Sequence, residues 1–201
     1  MSQGHILKIS HLEALVNGIF AIAMTILILD LRLPDGVPSS DLLKMLTSDM
    51  LRHLFVYIGS FIILGTLWIA MNFQWGLLER INRYYLWANV FYLMAICVVP
   101  FSASLVATYP RNYVSLSFYA INLLCASLGQ LIISECAHVF NLNRDIYTPA
   151  LRVAIVKRIL VAPVFYISSL LIAHWSTVAS FLLLIAPTII YLVPGRVDKF
   201  D

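Results

Sequence analysis

The sequence predicts an all-α integral membrane protein with six transmembrane helices, and three observations make that prediction. Of 201 residues, 61% are hydrophobic and only 11% charged, against roughly 25% charged in soluble domains, and mean hydropathy is +0.90. Six apolar segments follow one another, each at or near the ~20 residues that cross a hydrocarbon core as a helix. Basic residues gather on alternate links. Helices are the expected form because in lipid every backbone N–H and C=O must be paired within its own segment. A single domain, residues 1–201, is expected, since the spans leave no room for a second.

The first span is placed at Leu12 to Leu31; it is longer than a signal core and followed by charges rather than a small-residue cleavage site, so it is expected to stay in the chain. The second runs from His53 to Trp75, the third from Tyr85 to Tyr109 and the fourth from Tyr113 to Ala137. The fifth covers Ile155 to Ala173 and the sixth Trp175 to Val193, joined by a turn at His174. Polar links lie at Pro34 to Arg52, Glu79 to Arg83, Pro110 to Asn112 and Asn141 to Ala150. With the amino terminus inside, the inner side carries Lys8, Arg80, Arg83, Arg144, Arg152, Lys157, Arg158, Arg196 and Lys199, and the outer side only Arg32, Lys44, Arg52 and Arg111. The positive-inside rule therefore puts both termini in the cytoplasm. Tyr84, Tyr85, Trp87, Tyr109, Tyr113, Trp175 and Tyr191 fall near span ends and read as interfacial anchors. Pro100, Pro163 and Pro187 lie inside spans and read as packing kinks.

The first span carries the most information. His11, Leu15, Gly18, Ile22, Thr25 and Leu29 recur at steps of four, three, four, three and four, which places them on one face of one helix. Such a seam, running from one membrane surface to the other, would line something. Glu13 and Asn17 share a different face and read as an inner-end cap and an interhelix hydrogen bond. Glu135 and His138 have Glu-x-x-His spacing, but no other span supplies the further carboxylates of a metal helix bundle, so a solvated helix end is the reading there. His53 and His174 also fall at span ends.

Several functions are excluded. The net charge of +3 is small and dispersed, which argues against nucleic-acid binding. Cys97, Cys125 and Cys136 lie in apolar runs without metal or disulfide spacing and read as packing residues. No Ser-His-Asp set, phosphate-binding glycine loop or zinc motif appears, so no enzyme is expected, and no cofactor. A carbonyl-lined filter is absent, the nearest fragment being Tyr57-Ile58-Gly59, and Arg152, Lys157 and Arg158 lack the spacing of a voltage sensor. In a channel, a side-chain constriction would have to select.

The helix from His11 to Asp30 resembles the opening helix of the transmembrane protein 175 family of potassium channels, which reads Arg-x-x-x-Phe-Ser-Asp-Gly-x-x-Ala-Ile-x-x-Thr-Leu-Leu-x-Leu-Glu. Its back half, Gly18 to Asp30, matches well. At the front His11 stands for the arginine, Leu15 for the phenylalanine, Val16 for the serine and Asn17 for the aspartate, while Met71 and Asn72 stand where the family has histidines. Ser60-Phe61 and Trp68 look like residues of the family's second helix, Asn89 like the asparagine of its third, and Pro100-Phe101 like the pair that ends that stretch. Six spans and cytoplasmic termini also suit the single-repeat prokaryotic members.

The resemblance implies a homotetramer with first helices around a central pore in the plasma membrane, permeated by K+ and other monovalent cations, with membrane lipid and its own copies as partners. It puts the pore constriction at Ile22, the threonine linked to potassium preference at Thr25 and a wider apolar ring at Leu29, with Asp30 at the outer mouth. His11, Asn17, Ser60, Trp68, Asn72 and Asn89 are expected as a polar network packing the first three helices. A voltage-independent, potassium-preferring leak channel is the leading expectation. A secondary transporter or permease is the alternative, though it would want a mid-membrane charged coupling site that the sequence lacks, and a non-conducting scaffold of the same fold is a third.

Overall fold

The computed structural model describes residues 9–31 and 50–192. The predicted link at 34–49, the last predicted span residue Val193, and Lys8, Arg32, Lys44, Arg196 and Lys199 lie outside the described residues. The described residues form a bundle of α1 (Ile9–Ile26), α2 (Leu51–Gly76), α3 (Arg83–Thr108), α4 (Tyr113–Val139), α5 (Pro149–Ile172) and α6 (Thr177–Leu192). Five of these, counting α1 with its 3-10 extension to Asp30, are long and apolar enough to cross a membrane; α6 is a shorter apolar helix. The chain is a multi-pass membrane protein.

Side chains set the helix starts. Asn82, Asn112 and Thr148 each stand in extended backbone and accept from a first-turn N–H, that of Tyr85 at 2.8 Å, Val114 at 2.9 Å and Leu151 at 3.2 Å. Each satisfies one of the donors a helix start leaves free. The fifth helix begins six residues before the predicted Ile155, because Thr148 caps it and Pro149, needing no N–H partner, takes its first turn. The link expected at Asn141 to Ala150 is correspondingly shorter.

The core lies between α3 and α4, each of which buries half of its apolar window, whereas α1 buries 28%. Gly129 permits the approach: a methyl group there would stand 3.2 Å from the Tyr92 ring and 3.4 Å from its backbone. Tyr85 and Tyr92 are fully buried, so Tyr85 is a core residue and not the interfacial anchor expected. Tyr84, Trp87, Tyr109, Tyr113 and Trp175 are exposed near helix ends, as anchors would be. Of the cysteines read as packing residues, Cys136 is half-buried and packs against the core, whereas Cys97 and Cys125 are exposed.

Two proline-containing turns are spliced by side chains. The ring of Pro100 crowds the preceding turn of α3, where Asn122 of α4 enters between the Ala95 carbonyl and the Val99 N–H. In the amide orientation that satisfies its neighbours, Asn122 donates to Ala95 O at 3.0 Å and accepts from Val99 N at 3.1 Å and the Ser102 hydroxyl at 3.0 Å. The Tyr191 hydroxyl does the same before Pro163 in α5, donating to Arg158 O at 2.9 Å and accepting from Ala162 N at 3.1 Å. In both, the side chain joins the carbonyl five residues before the proline to the N–H one residue before it. Tyr191 is thus an internal splint rather than an interfacial anchor.

On the side predicted to be inner, the α2–α3 link lies against the α4–α5 link. Arg144 N donates to Leu77 O at 2.8 Å, Glu79 N to Leu142 O at 2.9 Å, and the Arg144 Nε to Leu78 O at 3.1 Å. Asn141, at φ 51°, takes the left-handed position that ends α4. Glu135, partly exposed near the end of α4, is also paired: Arg152 of α5 donates to it at 2.6 Å, both side chains about one-third exposed. His138 packs on the Tyr147 ring at 5.9 Å. Among the described residues no cluster of His, Cys, Asp or Glu could hold a metal ion.

Asn122→Leu and Tyr191→Phe each remove a splint and leave the adjacent buried N–H without that partner. Each is expected to destabilise the bundle by about 1–3 kcal/mol, read as a lower thermal unfolding midpoint in detergent. Midpoints equal to wild type would show that the opened turns close by themselves.

Candidate functional site

The two faces of α1 have opposite fates. Leu12, Val16, Phe20 and Ala23, with Leu27 beyond, are all under 5% exposed and join the core, Phe20 meeting Tyr92 with ring centroids 6.2 Å apart. The other face is the stripe read from the sequence: Leu15, Ile22 and Leu29 are 50%, 59% and 53% exposed, and His11, Gly18 and Thr25 are exposed beside them. No other part of the described chain covers this face. Burying one set of residues at helical spacing leaves the complementary set outward, so the α1 core contacts themselves present the stripe.

The stripe does not lie on one continuous α-helix. After Ile26 the chain tightens into a 3-10 turn, Leu27–Asp30. Each residue there advances ~120° rather than ~100°, which carries Leu29 ahead of an α-helical extrapolation. Leu27 stays buried and Leu29 exposed across the change. Asp30 is half-buried on the same turn. Beside the stripe a groove of about 640 Å³ runs between α1 and α3, bordered by Ile22, Ile26, Leu29 and Asp30 on one side and by Cys97 and Phe101 on the other.

Thr25 donates its hydroxyl hydrogen to the Ile22 carbonyl at 2.9 Å. This ties the side chain to its own helix and leaves the oxygen lone pairs as its remaining polar capacity.

The residues expected to form one packing network divide into separate contacts. Trp68 of α2 donates its indole N–H to the Asn17 amide oxygen of α1 at 2.8 Å, and Asn72 donates to the Trp68 carbonyl at 2.9 Å. Ser60 instead faces Tyr119 of α4, 2.9 Å between hydroxyls. Eight residues separate Ser60 from Trp68, a turn of ~80° about the helix, which is why one looks into the bundle and the other toward α1. Asn89 is fully buried and donates to Tyr85 O on its own helix at 2.8 Å. His11 is exposed at the start of the stripe.

Sequence reasoning missed Tyr119, Asn122 and Ser102, and the buried pair Gln74 and Gln130. The signal was their polarity itself: amides and hydroxyls inside apolar spans are expensive unless partnered.

Residues 11–100 match the family model described as "Endosomal/lysosomal potassium channel TMEM175". A potassium channel of Streptomyces collinus is 27% identical over 121 residues, 58% of this chain and 58% of the relative. One from a Chryseobacterium species is 27% identical over 124 residues, 62% of each chain, and one from Chamaesiphon minutus 31% identical over 114 residues, 54% of this chain and 56% of that one. The alignment thus spans roughly three-fifths of each relative's own length. The crystal structure of a lysosomal potassium-selective channel TMEM175 homolog from Chamaesiphon minutus shares the fold, with TM-score 0.81, 23% identity, and coverage of 91% of this chain and 95% of that one. Residues 11–100 are thus similar to the TMEM175 family, and the bundle has the fold of a TMEM175 homolog.

Proposed function

We propose that the chain is a homotetrameric, voltage-independent leak channel for monovalent cations that prefers potassium, acting in a prokaryotic plasma membrane with both termini cytoplasmic. The observation that carries this reading is the α1 stripe, left uncovered over its whole length by the described residues of its own chain. Gly18 adds to it: a methyl group there would meet no atom of the described residues within 4 Å, so its smallness answers to no need of the described bundle, whereas small residues let membrane helices approach one another. One α1 from each copy around a shared axis gives the stripe an occupant on its open side. The groove beside Ile22 and Phe101 then receives the neighbouring copy.

In that assembly Ile22, mid-span on the stripe, makes the tightest ring, and Leu29 a wider one. A ring of branched alkyl groups narrow enough to exclude water gates by dewetting, and potassium sheds its hydration at lower cost than sodium. Thr25, three residues beyond, turns hydroxyl oxygens toward a partly dehydrated ion; since its hydrogen is held by the Ile22 carbonyl, only lone pairs are offered. Asp30 raises the local cation concentration at the outer mouth. The Trp68 to Asn17 bond fixes α1 against α2, where the family's arginine and aspartate are replaced. Voltage independence follows from the want of regularly spaced arginines within a span. The excess of basic residues on one side supports the orientation.

Native mass spectrometry in mild detergent is expected to give a tetramer; monomers or dimers alone would overturn the assembly. In proteoliposomes Ile22→Asn is expected to wet the constriction, raising cation flux and bringing the potassium-to-sodium permeability ratio toward one. Unchanged flux in a folded variant would move the gate elsewhere. Thr25→Val keeps the shape and removes the hydroxyl, so reversal potentials under opposed potassium and sodium gradients are expected to shift toward non-selectivity. Identical potentials would leave selection to the apolar rings alone.

A further inference from the structure

A second cavity, remote from the α1 stripe, opens within the bundle between α2, α4, α5 and α6, with a volume of about 220 Å³. Toward the end of α2, Phe73 and Leu77 pack with Leu151 and Ile155 of α5; the cavity takes up the space beside that contact. Its walls are mainly apolar, with Leu67, Ile69 and Ala70 from α2 and Ile155, Ile159 and Ala162 from α5.

Two buried amides line it. Gln74 and Gln130 are 8% and 4% exposed, and the Gln74 Oε1 and the Gln130 Nε2 have no hydrogen-bond partner among the described residues. Three of the hydroxyls that line it are committed: Thr66 donates to Ile63 O at 2.8 Å, Ser127 to Leu123 O at 3.0 Å and Tyr191 to Arg158 O at 2.9 Å. An unpaired acceptor and an unpaired donor on one mostly apolar wall are costly, each by ~1–3 kcal/mol, and both are relieved by one group that donates and accepts.

We infer that this cavity is a binding site for a small uncharged amphiphile, a primary carboxamide on an apolar body, held between Gln74 and Gln130. The ligand's NH2 donates to the Gln74 Oε1 and its carbonyl accepts from the Gln130 Nε2. Turning both glutamine amides over reverses the roles and leaves the match intact. As the Gln74 amide stands, a carboxylate offers acceptors only and leaves its Oε1 unpaired; the Arg158 guanidinium in the wall, which donates to the Tyr191 carbonyl at 3.4 Å, repels a cation. A water can join the two amides as well, but it leaves the alkyl remainder of the cavity unfilled, which an apolar body covers. The volume is below the ~300–1,000 Å³ of drug-sized pockets, which limits the occupant to a fragment such as a substituted benzamide. Binding here does not depend on whether the α1 stripe conducts.

The test is saturable binding of 4-fluorobenzamide, followed by fluorine NMR, to the full chain in phosphatidylcholine nanodiscs, with empty nanodiscs as the measure of lipid partition. Wild type is expected to bind saturably, Gln74→Leu and Gln130→Leu about tenfold more weakly, in line with loss of one hydrogen bond each, and 4-fluorobenzoate more weakly than the amide. Ala70→Phe, which fills the cavity and spares both glutamines, is expected to abolish binding and keeps the test decisive should a leucine variant fail to fold. Uptake no greater than by empty nanodiscs, folded variants that all bind like wild type, or tighter binding of the benzoate would each overturn the site.

Discussion

Backbone hydrogen bonding in a medium without water is the constraint on which this bundle depends. Lipid offers no partner to a stray N–H or C=O, so each span must satisfy its own, and a proline inside a span breaks that closure. The chain meets the problem twice with one device. Asn122 enters the turn before Pro100, and Tyr191 the turn before Pro163. Each comes from the next helix in the chain, so the repair also joins α3 to α4 and α5 to α6. Local backbone need and tertiary packing are here the same bonds.

The same constraint explains how polar side chains are spent. Ser60 pairs with Tyr119, Ser169 with Ser180 at 2.8 Å, and Trp68 with Asn17, each linking two helices. Asn89 and Thr25 return to carbonyls of their own helices. Hydrogen bonds between helices are favourable in lipid because nothing else there competes for the groups. Against this background Gln74 and Gln130 stand apart, and so does the exposed seam of α1, where Gly18 and Thr25 sit among alkyl groups without being enclosed.

Much of the architecture was legible in composition and hydropathy, since crossing a membrane takes a run of apolar residues whose length the bilayer sets. The ends were less legible. The start of α5 depended on Thr148 and Pro149, a capping signal inside a segment whose polarity read as a link. Aromatic residues near span ends divided for a reason sequence does not carry: Tyr84 points outward and Tyr85 inward, one residue apart, and only the direction of α4 tells which is which. Glu135, too, met Arg152 across a turn that spacing along one helix could not reveal.

For the candidate site, sequence alone determined the stripe. Helical periodicity fixes which residues share a face, and His11, Leu15, Gly18, Ile22, Thr25 and Leu29 share one whatever surrounds them, apart from the 3-10 turn that advances Leu29. Which face the bundle buries was decided by tertiary structure, because Leu12, Val16, Phe20 and Ala23 form an equally regular apolar row and periodicity does not rank two such rows. The match of Phe20 to Tyr92 and of Asn17 to Trp68 turns one inward and leaves the other out. The fate of Ser60 and Asn89 was likewise settled in three dimensions, since a hydrogen bond goes to whatever partner stands within ~3 Å, and that distance is a property of the packed helices rather than of any one segment.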